Sequence, residues 1–434
     1  MLAFASTTLL VLLALSIPVA ATLALLAILL DIEFGSGWPP QMFVALGEIV
    51  WQNGIEYVLV AIPLFIMLGE ILLRAGIAER MYTAMVQWLS WLPGGTMHSN
   101  IGSCAIFAAS SGSSVATAAT VGTVAYPEVA RRGYNEPLFL GTLAAGGTLG
   151  ILIPPSINLI IYGLLTDTSV PQLYLAGFLP GLILSILFML TVIIGVTFRP
   201  AWGGTKVETS WIARWGSLPH LLPPIGIFIV VVGSIYAGLA TPTEAASVGV
   251  IASLILAAGF GALNIGMLKE VMEGTLKTTA MVMLIIFAAL FLNFVMGLVG
   301  MTQQLIQFIE GLGLTPMQTL WVVILFYIVV GCFMETLSML ITTTPLIAPI
   351  LIGMGFDPVW LGILITLLLE TALITPPVGV NLYIVHGIRK SGSMNDVIFG
   401  ASPFVVTMFV MIGILVLFPD IALLLPEIFI RSQN

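Results

Sequence analysis

The chain has 434 residues, of which 59% are hydrophobic and only 7% charged, and its formal net charge is −8. That composition excludes a soluble domain and describes a polytopic membrane protein in a lipid bilayer. It also argues against a nucleic-acid partner, because the twelve basic residues are scattered along the loops.

In chain order, residues 2–30 predict a first membrane helix with a bend near Pro18; they run too long for a signal peptide and lack its basic start. Residues 31–53 read as a polar-aromatic link around Trp38-Pro39-Pro40, and 55–74 as the next span. From Ile77 to Leu92 the apolar residues Ile77, Met81, Met85, Trp88, Leu89 and Leu92 share one helical face, which predicts an amphipathic helix lying in the membrane plane. Residues 97–131 are interrupted at Ser110-Ser111-Gly112-Ser113-Ser114. About 13 residues reach only about 20 Å, too short to cross, so the expectation is a re-entrant hairpin with a Ser/Gly tip. A helix over 136–165 is broken by Pro154-Pro155, because proline lacks the backbone donor and pushes its predecessor out of the helical region. A span over 173–198 follows.

The link 199–216 carries Arg199, Lys206, Arg214 and three tryptophans; spans at 219–238 and 243–262 and a second polar link, 263–277, come next. The pattern then recurs, with a span at 278–300, an amphipathic piece from Met301 to Leu312, and a hairpin at 316–353 whose tip lies near Met334-Glu335-Thr336. A second helix, 358–388, is broken at Pro376-Pro377, and a last span covers 397–418. At a constant spacing of 222 residues Pro127 matches Pro349, Gly133 matches Gly355, Tyr134 matches Phe356, Asn135 matches Asp357, and the two prolyl doublets coincide. Gly76 and Gly300 match with a drift of two residues. The expected organisation is thus an N-terminal scaffold helix and link (1–54), repeat 1 (55–198), a central link with scaffold helices (199–277), repeat 2 (278–418) and a C-terminal tail (419–434).

When each hairpin returns to its own side, every basic residue except Arg431 falls on one face, which the positive-inside rule makes cytoplasmic. The second repeat then starts from the opposite side, so the repeat is inverted. The predicted fold is an all-α polytopic membrane protein with an inverted repeat, two re-entrant helical hairpins and two broken helices. Paired broken helices point to a transporter's binding site, since irregular backbone at that depth must line a cavity or be buried in protein.

A broken helix offers carbonyls with partial negative charge at the end of its first half and N–H groups with partial positive charge at the start of its second. Neutral oxygens suit a hard cation. One Na⁺ is therefore expected between Ser111, Ser113 and the carbonyls near Gly150, Ile153 and Pro155, and another between Thr336 and carbonyls near Ala372, Thr375 and Pro377. In the alternative, the hydroxyls only satisfy the backbone of a tight turn. Ser156, Asn158, Glu335, Gly379 and Asn381 are the candidate substrate contacts. The two asparagines have the alternative role of capping or interhelix bonds. The spaced small residues from Gly141 to Gly150 suit close helix packing. Of the acidic residues near membrane depth, Glu70, Glu244, Glu335 and Glu370, the tip residue Glu335 is the best placed for a charge role. No Lys or Arg falls in the predicted core. Cys104 and Cys332 lie in apolar stretches and His98, His220 and His386 are scattered, so neither a disulfide nor a metal centre other than Na⁺ is expected, and no organic cofactor. Catalysis is not expected, because no His or Lys at membrane depth pairs with Ser111 or Ser113. A passive channel would need a polar stripe through several helices, and only two mid-membrane clusters are polar.

The run Ser110 to Thr117, Pro127-Glu128, Arg132-Gly133-Tyr134 and Ala145 to Ser156 resembles the large membrane subunit of tripartite ATP-independent periplasmic (TRAP) transporters. Pro63-Leu64-Phe65 with Gly69, Thr241 to Ala245, and Thr375 to Asn381 agree, so the resemblance spans nearly the whole chain. It implies a bacterial inner-membrane subunit with an elevator-type ion transporter fold. It further implies Na⁺-coupled uptake of an organic acid, such as a C4-dicarboxylate or a sialic acid. The implied partners are a small four-helix membrane subunit and a soluble periplasmic substrate-binding protein. A divalent-anion/Na⁺ symporter that works without a binding protein shares the hairpin architecture and is the nearest rival.

Overall fold

The computed structural model describes the chain except residues 16, 36–40, 302, 305, 306, 308–310, 333, 390, 391 and 434. The link residues Trp38-Pro39-Pro40, half of the amphipathic piece at 301–312 and the basic Lys390 therefore lie outside the described residues. Among those described, every regular element is helical, and the isolated β-bridge joins Tyr134 to Gly203.

The chain opens with α1 (Leu2–Ala14) and α2 (Val19–Phe34). Pro18 is extended (φ −52°, ψ 138°) and caps α2. The Phe4 ring meets Phe34 edge-on at 5.5 Å, so α2 runs back along α1. Residues 2–30 form a helical hairpin, not one bent span, because the proline ends one helix and starts another. The stretch read as a link contains α3 (Gln41–Gly54); a 3₁₀ turn at Tyr57–Val60 then leads into α4 (Ala61–Arg74). Next come α5 (Ile77–Leu89) and α6 (Thr96–Ser111). The buried residues of α5 include Ile77, Met81 and Met85. Ser99 of α6 donates to the Met85 carbonyl at 3.1 Å. The apolar face expected to meet the bilayer is thus covered by α6.

The first hairpin is α6 with α7 (Ser114–Ala125), followed by the short α8 (Pro127–Arg132). Its broken helix is α9 (Glu136–Leu152) with α10 (Ile157–Thr166), bent by 41°. Then come α11 (Val170–Phe198), α12 (Trp211–Ser217), α13 (Leu222–Tyr236) and α14 (Pro242–Gly259). α15 (Ile265–Leu298) is one helix of 34 residues, so the stretch 263–277 is not a link. Asn264 caps it by accepting from Met267 N–H at 2.9 Å. Its first turns are rich in Lys and Glu, good helix formers. A helix of that length spans about 51 Å and overshoots a hydrocarbon core of about 30 Å, which leaves those charges outside.

The second hairpin is α16 (Pro316–Gly331) with α17 (Thr336–Gly353). The second broken helix is α18 (Pro358–Ile374) with α19 (Val380–Ile388), followed by α20 (Met394–Leu417). The expected tail is also a helix, α21 (Asp420–Gln433), packed on α11. Among the described residues six helices are long and apolar enough to cross a membrane, or up to eight if each of two bent pairs counts as a span.

The repeat extends to the caps. Ser113 and Glu335 cap the second helix of each hairpin, and Asn135 and Asp357 cap the two broken helices. Gly133 and Gly355 precede those caps with φ of 66° and 97°. At the centre lie α9 and α18, buried without interruption over 138–152 and 359–374. The small residues of α9 explain why. A Cβ on Gly141 would lie 2.0 Å from the Gly400 carbonyl oxygen, and one on Gly400 would lie 1.7 Å from the Pro137 carbonyl oxygen, so α9 and α20 touch through backbone. Gly146 admits Cys104 of α6, and Gly147 admits Ala118 of α7.

Candidate ion and substrate site

The first tip is set by three residues. Ser111 ends α6, Gly112 is left-handed (φ 62°), and Ser113 caps α7 by accepting from Ala116 N–H at 3.4 Å. The Ser111 and Thr117 hydroxyls are 3.0 Å apart, and Thr117 Oγ1 donates to the Ser113 carbonyl at 2.7 Å. The tip rests on both sides of the first break. A Cβ on Gly112 would lie 2.8 Å from the Pro155 carbonyl oxygen. One on Gly150 would lie 2.7 Å from Ser113 C and O and from Ser114 N. Only glycine allows either approach. Ser111, Ser113, Gly150 and Pro155 therefore come together as the sequence suggested, with Ile153 inside the same break. Beyond the cis Pro154-Pro155 bond, Ser156 is wholly buried and caps α10, accepting from Leu159 N–H at 3.4 Å.

The second tip differs. The Glu335 carboxylate accepts from Leu337 and Ser338 N–H, each at 3.0 Å, and from the Thr336 and Ser338 hydroxyls at 3.0 and 3.1 Å. Its charge lies at a helix N-terminus, where the macrodipole favours it, and the Thr336 hydroxyl is spent on it. Gly331, at the end of α16, lies against Ala372; a Cβ there would be 2.5 Å from the Ala372 Cβ. Thr375 Oγ1 donates to the Thr371 carbonyl at 2.6 Å. Among the described residues no hydrogen bond joins this tip to Thr375 or Pro377. Pro376 and Pro377, also joined by a cis bond, are exposed, whereas Pro154 and Pro155 are buried.

The two asparagines face different neighbours. Asn381 is fully buried; its Nδ2 donates to the Ala144 carbonyl at 3.2 Å, and its Oδ1 has no partner. It follows Gly379, which starts α19 with φ 43°. Asn158 is 3% exposed on α10, which packs on α17, and its Nδ2 has no partner. Asn381 thus packs against the opposite repeat, as the helix that carries Asn158 does, and each asparagine keeps one buried polar atom unmatched, which is costly unless something binds it.

Two acidic suspects resolve into structural roles. Glu70 pairs with Arg74, which also reaches Glu270 at 3.3 Å. Glu244 forms a capping box with Thr241, accepting from its N–H at 2.8 Å. The sequence reading undervalued Glu370. This residue of α18 is wholly buried. Its Oε1 accepts from Ile151 N–H at 3.0 Å, and Ser114 Oγ lies 3.3 Å from both carboxylate oxygens. Six residues ahead of the second prolyl doublet, a carboxylate from repeat 2 reaches the first tip and the first break. A basic residue is also buried. Arg389 ends α19 with its side chain 4% exposed and pairs with Glu136 at 3.3 Å and Asp396 at 3.0 Å.

Two hairpin tips meeting two broken helices of an inverted repeat define a membrane transport protein of secondary-transporter architecture. A solved structure, the YdaH transporter of Alcanivorax borkumensis, shares the fold, with a TM-score of 0.64 over 94% of this chain and 99% of that one at 15% identity. The family described as "Tripartite ATP-independent periplasmic transporter, DctM component" matches residues 7–421. The C4-dicarboxylate TRAP transporter large permease protein DctM of Vibrio cholerae is 32% identical over 406 residues, covering 87% of each chain. The ectoine TRAP transporter large permease protein TeaC of Halomonas elongata is 30% identical over 374 residues, 86% of this chain and 87% of that one. The chain belongs to the DctM family of large TRAP permease components.

Proposed function

We propose that this chain is the ion-coupled permease subunit of a three-part bacterial inner-membrane uptake system. It imports a small organic acid, such as a C4-dicarboxylate, handed over by a soluble periplasmic binding protein, and moves at least two Na⁺ with it. A separate small membrane subunit braces it. The observation that carries the reading is the first tip docked on the first break, where Ser113 and Gly150, and Gly112 and Pro155, approach closely enough to exclude any side chain but hydrogen. This gathers hydroxyl and carbonyl oxygens at one buried point, the environment a hard monovalent cation needs. The unmatched amide atoms of Asn158 and Asn381 offer hydrogen bonds to a polar solute near the breaks.

Movement follows from the repeat. The first break is buried and the second exposed; exchanging the conformations of the two halves would reverse that and present the site to the other side. The hairpins and broken helices would travel together, elevator fashion, past α13 and α14, with the basic residues marking the cytoplasmic face. Family membership favours this over a symporter that acts without a binding protein.

The test is uptake of a C4-dicarboxylate by proteoliposomes holding this chain with its small subunit, with the binding protein added outside. Replacing Na⁺ by choline is expected to cut uptake at least tenfold. Ser111→Ala with Ser113→Ala is expected to raise the Na⁺ concentration for half-maximal uptake several-fold; an unchanged dependence would mean that these hydroxyls only cap the turn. Full binding-protein-dependent uptake by this chain alone would remove the small subunit from the reading.

A further inference from the structure

Glu370 is the buried group that the transport reading leaves unused. It lies in the unbroken buried run of α18, it is 0% exposed, and among the described residues no Lys, Arg or His forms an ion pair with it. The partners it has are donors, Ile151 N–H at 3.0 Å and the Ser114 hydroxyl at 3.3 Å. Such donors favour the anion but do not cancel its charge, and complete burial in a membrane interior disfavours an uncancelled charge, so the ionised form needs a cation beside it.

The same few residues also carry the tip. Ser114 follows Ser113, and its hydroxyl lies 3.2 Å from the Thr148 carbonyl as well as 3.3 Å from Glu370. Ile151 follows Gly150, which the Ser113 carbonyl approaches so closely that no Cβ fits. The carboxyl group therefore adjoins a cluster of neutral oxygens that, unaided, would attract a cation only through dipoles. The repeat shows that the charge is asymmetric. At the spacing of 222 residues Glu370 corresponds to Thr148, so one half carries a hydroxyl where the other carries the carboxylate, and the two positions meet at Ser114.

We propose that Glu370, contributed by repeat 2, is the counter-charge for the cation held at the first tip and first break. It strengthens cation binding through its field, so that a site built from repeat 1 takes its charge from repeat 2. The inference rests on the sodium reading proposed above and adds the source of the charge. Glu370→Gln keeps an acceptor for Ile151, removes the charge and turns the second oxygen into a neutral NH2 group, and the Ser114 variant below controls for that exchange.

The experiment is a Na⁺ titration, against choline at constant ionic strength, of the thermal stability of the purified full-length permease with its small subunit. The wild type should be stabilised by Na⁺. Glu370→Gln should raise the midpoint concentration roughly tenfold or more, the scale of one nearby charge in a poorly screened site, and Glu370→Asp should stay within about threefold of wild type. A Glu370→Gln midpoint within twofold of wild type would overturn the counter-charge while leaving the sodium reading standing. A wild type that does not respond to Na⁺ would remove both. If Glu370→Gln does not accumulate, Ser114→Ala decides. It takes away a donor and keeps the charge, so its midpoint should stay within twofold or fall; a tenfold rise would show that the hydroxyl, not the charge, holds the ion.

Discussion

Gly150→Ala tests the docking of the first tip most directly. The added methyl would lie 2.7 Å from three backbone atoms, Ser113 C and O and Ser114 N. Comfortable carbon contacts begin at about 3.5 Å, and no flexible side chain is available to yield, so the tip must lift by roughly 1 Å. Overpacking of this kind costs about 1–3 kcal/mol. The lift also takes the Ser114 hydroxyl, now 3.3 Å from the Glu370 carboxylate, out of hydrogen-bond range, and a bond to a charged group contributes about 1.5–3 kcal/mol. Because the two losses overlap, we expect about 2–4 kcal/mol, which shifts the docked–undocked equilibrium of the tip roughly 30- to 700-fold. Hydrogen–deuterium exchange in detergent reads this locally. Amides over 111–117 should exchange at least tenfold faster than in wild type, with α13 unaffected. Gly226→Ala on α13 is the control: nothing lies within 4 Å of its added methyl, and the same substitution there should stabilise by about 0.5–1 kcal/mol. Tip exchange within twofold of wild type would refute the claim that backbone contact, rather than side-chain packing, docks the tip.

Other outcomes follow from the same geometry. Arg389→Met should lower thermal stability by about 1–3 kcal/mol, less than a fully buried pair would lose, because the side chains of Glu136 and Asp396 are 33% and 41% exposed and water can relieve them; an unchanged unfolding midpoint would show that the cluster contributes nothing. Thr205→Cys, on an exposed turn, should resist an impermeant thiol reagent added to intact cells and react after lysis; labelling of intact cells would invert the proposed orientation. A cysteine at Val115, 38% exposed on α7, cross-linked to one on α13 should stop uptake; transport at the wild-type rate through such a lock would replace the elevator with local gating at the tips.

The sequence made the periodic and the special-backbone features legible, because each is written locally. Paired prolines announce both breaks, and Gly112 between serines announces the first tip. The matched pair Asn135 and Asp357 stands just ahead of the two broken helices. What it did not show depends on partners far away in the chain. Glu370 looks like any acid near a helix end until Ile151, 219 residues earlier, is brought to it. A free tip carboxylate and a capping carboxylate have the same local sequence, and only the four short contacts reveal that Glu335 caps its helix. The charged residues 263–277 have the composition of a link, because charge also marks helix ends, whereas an over-long helix carries charge outside the bilayer at no cost to its backbone. The turn at Pro18 was ambiguous for a similar reason: proline signals a break, and the Phe4–Phe34 contact decides that the chain doubles back.

Where Gly141 meets Gly400 and Gly400 meets Pro137, the two halves touch main chain to main chain. No side chain stands there whose rotamer can relax, so the spacing of α9 and α20 is fixed by atomic radii alone. Such a contact behaves like a machinist's gauge. Substitutions elsewhere can change the chemistry of each half, as the different caps Ser113 and Glu335 illustrate, without altering how far apart the halves are held. The duplicated halves are thereby free to drift in chemistry while staying locked in dimension.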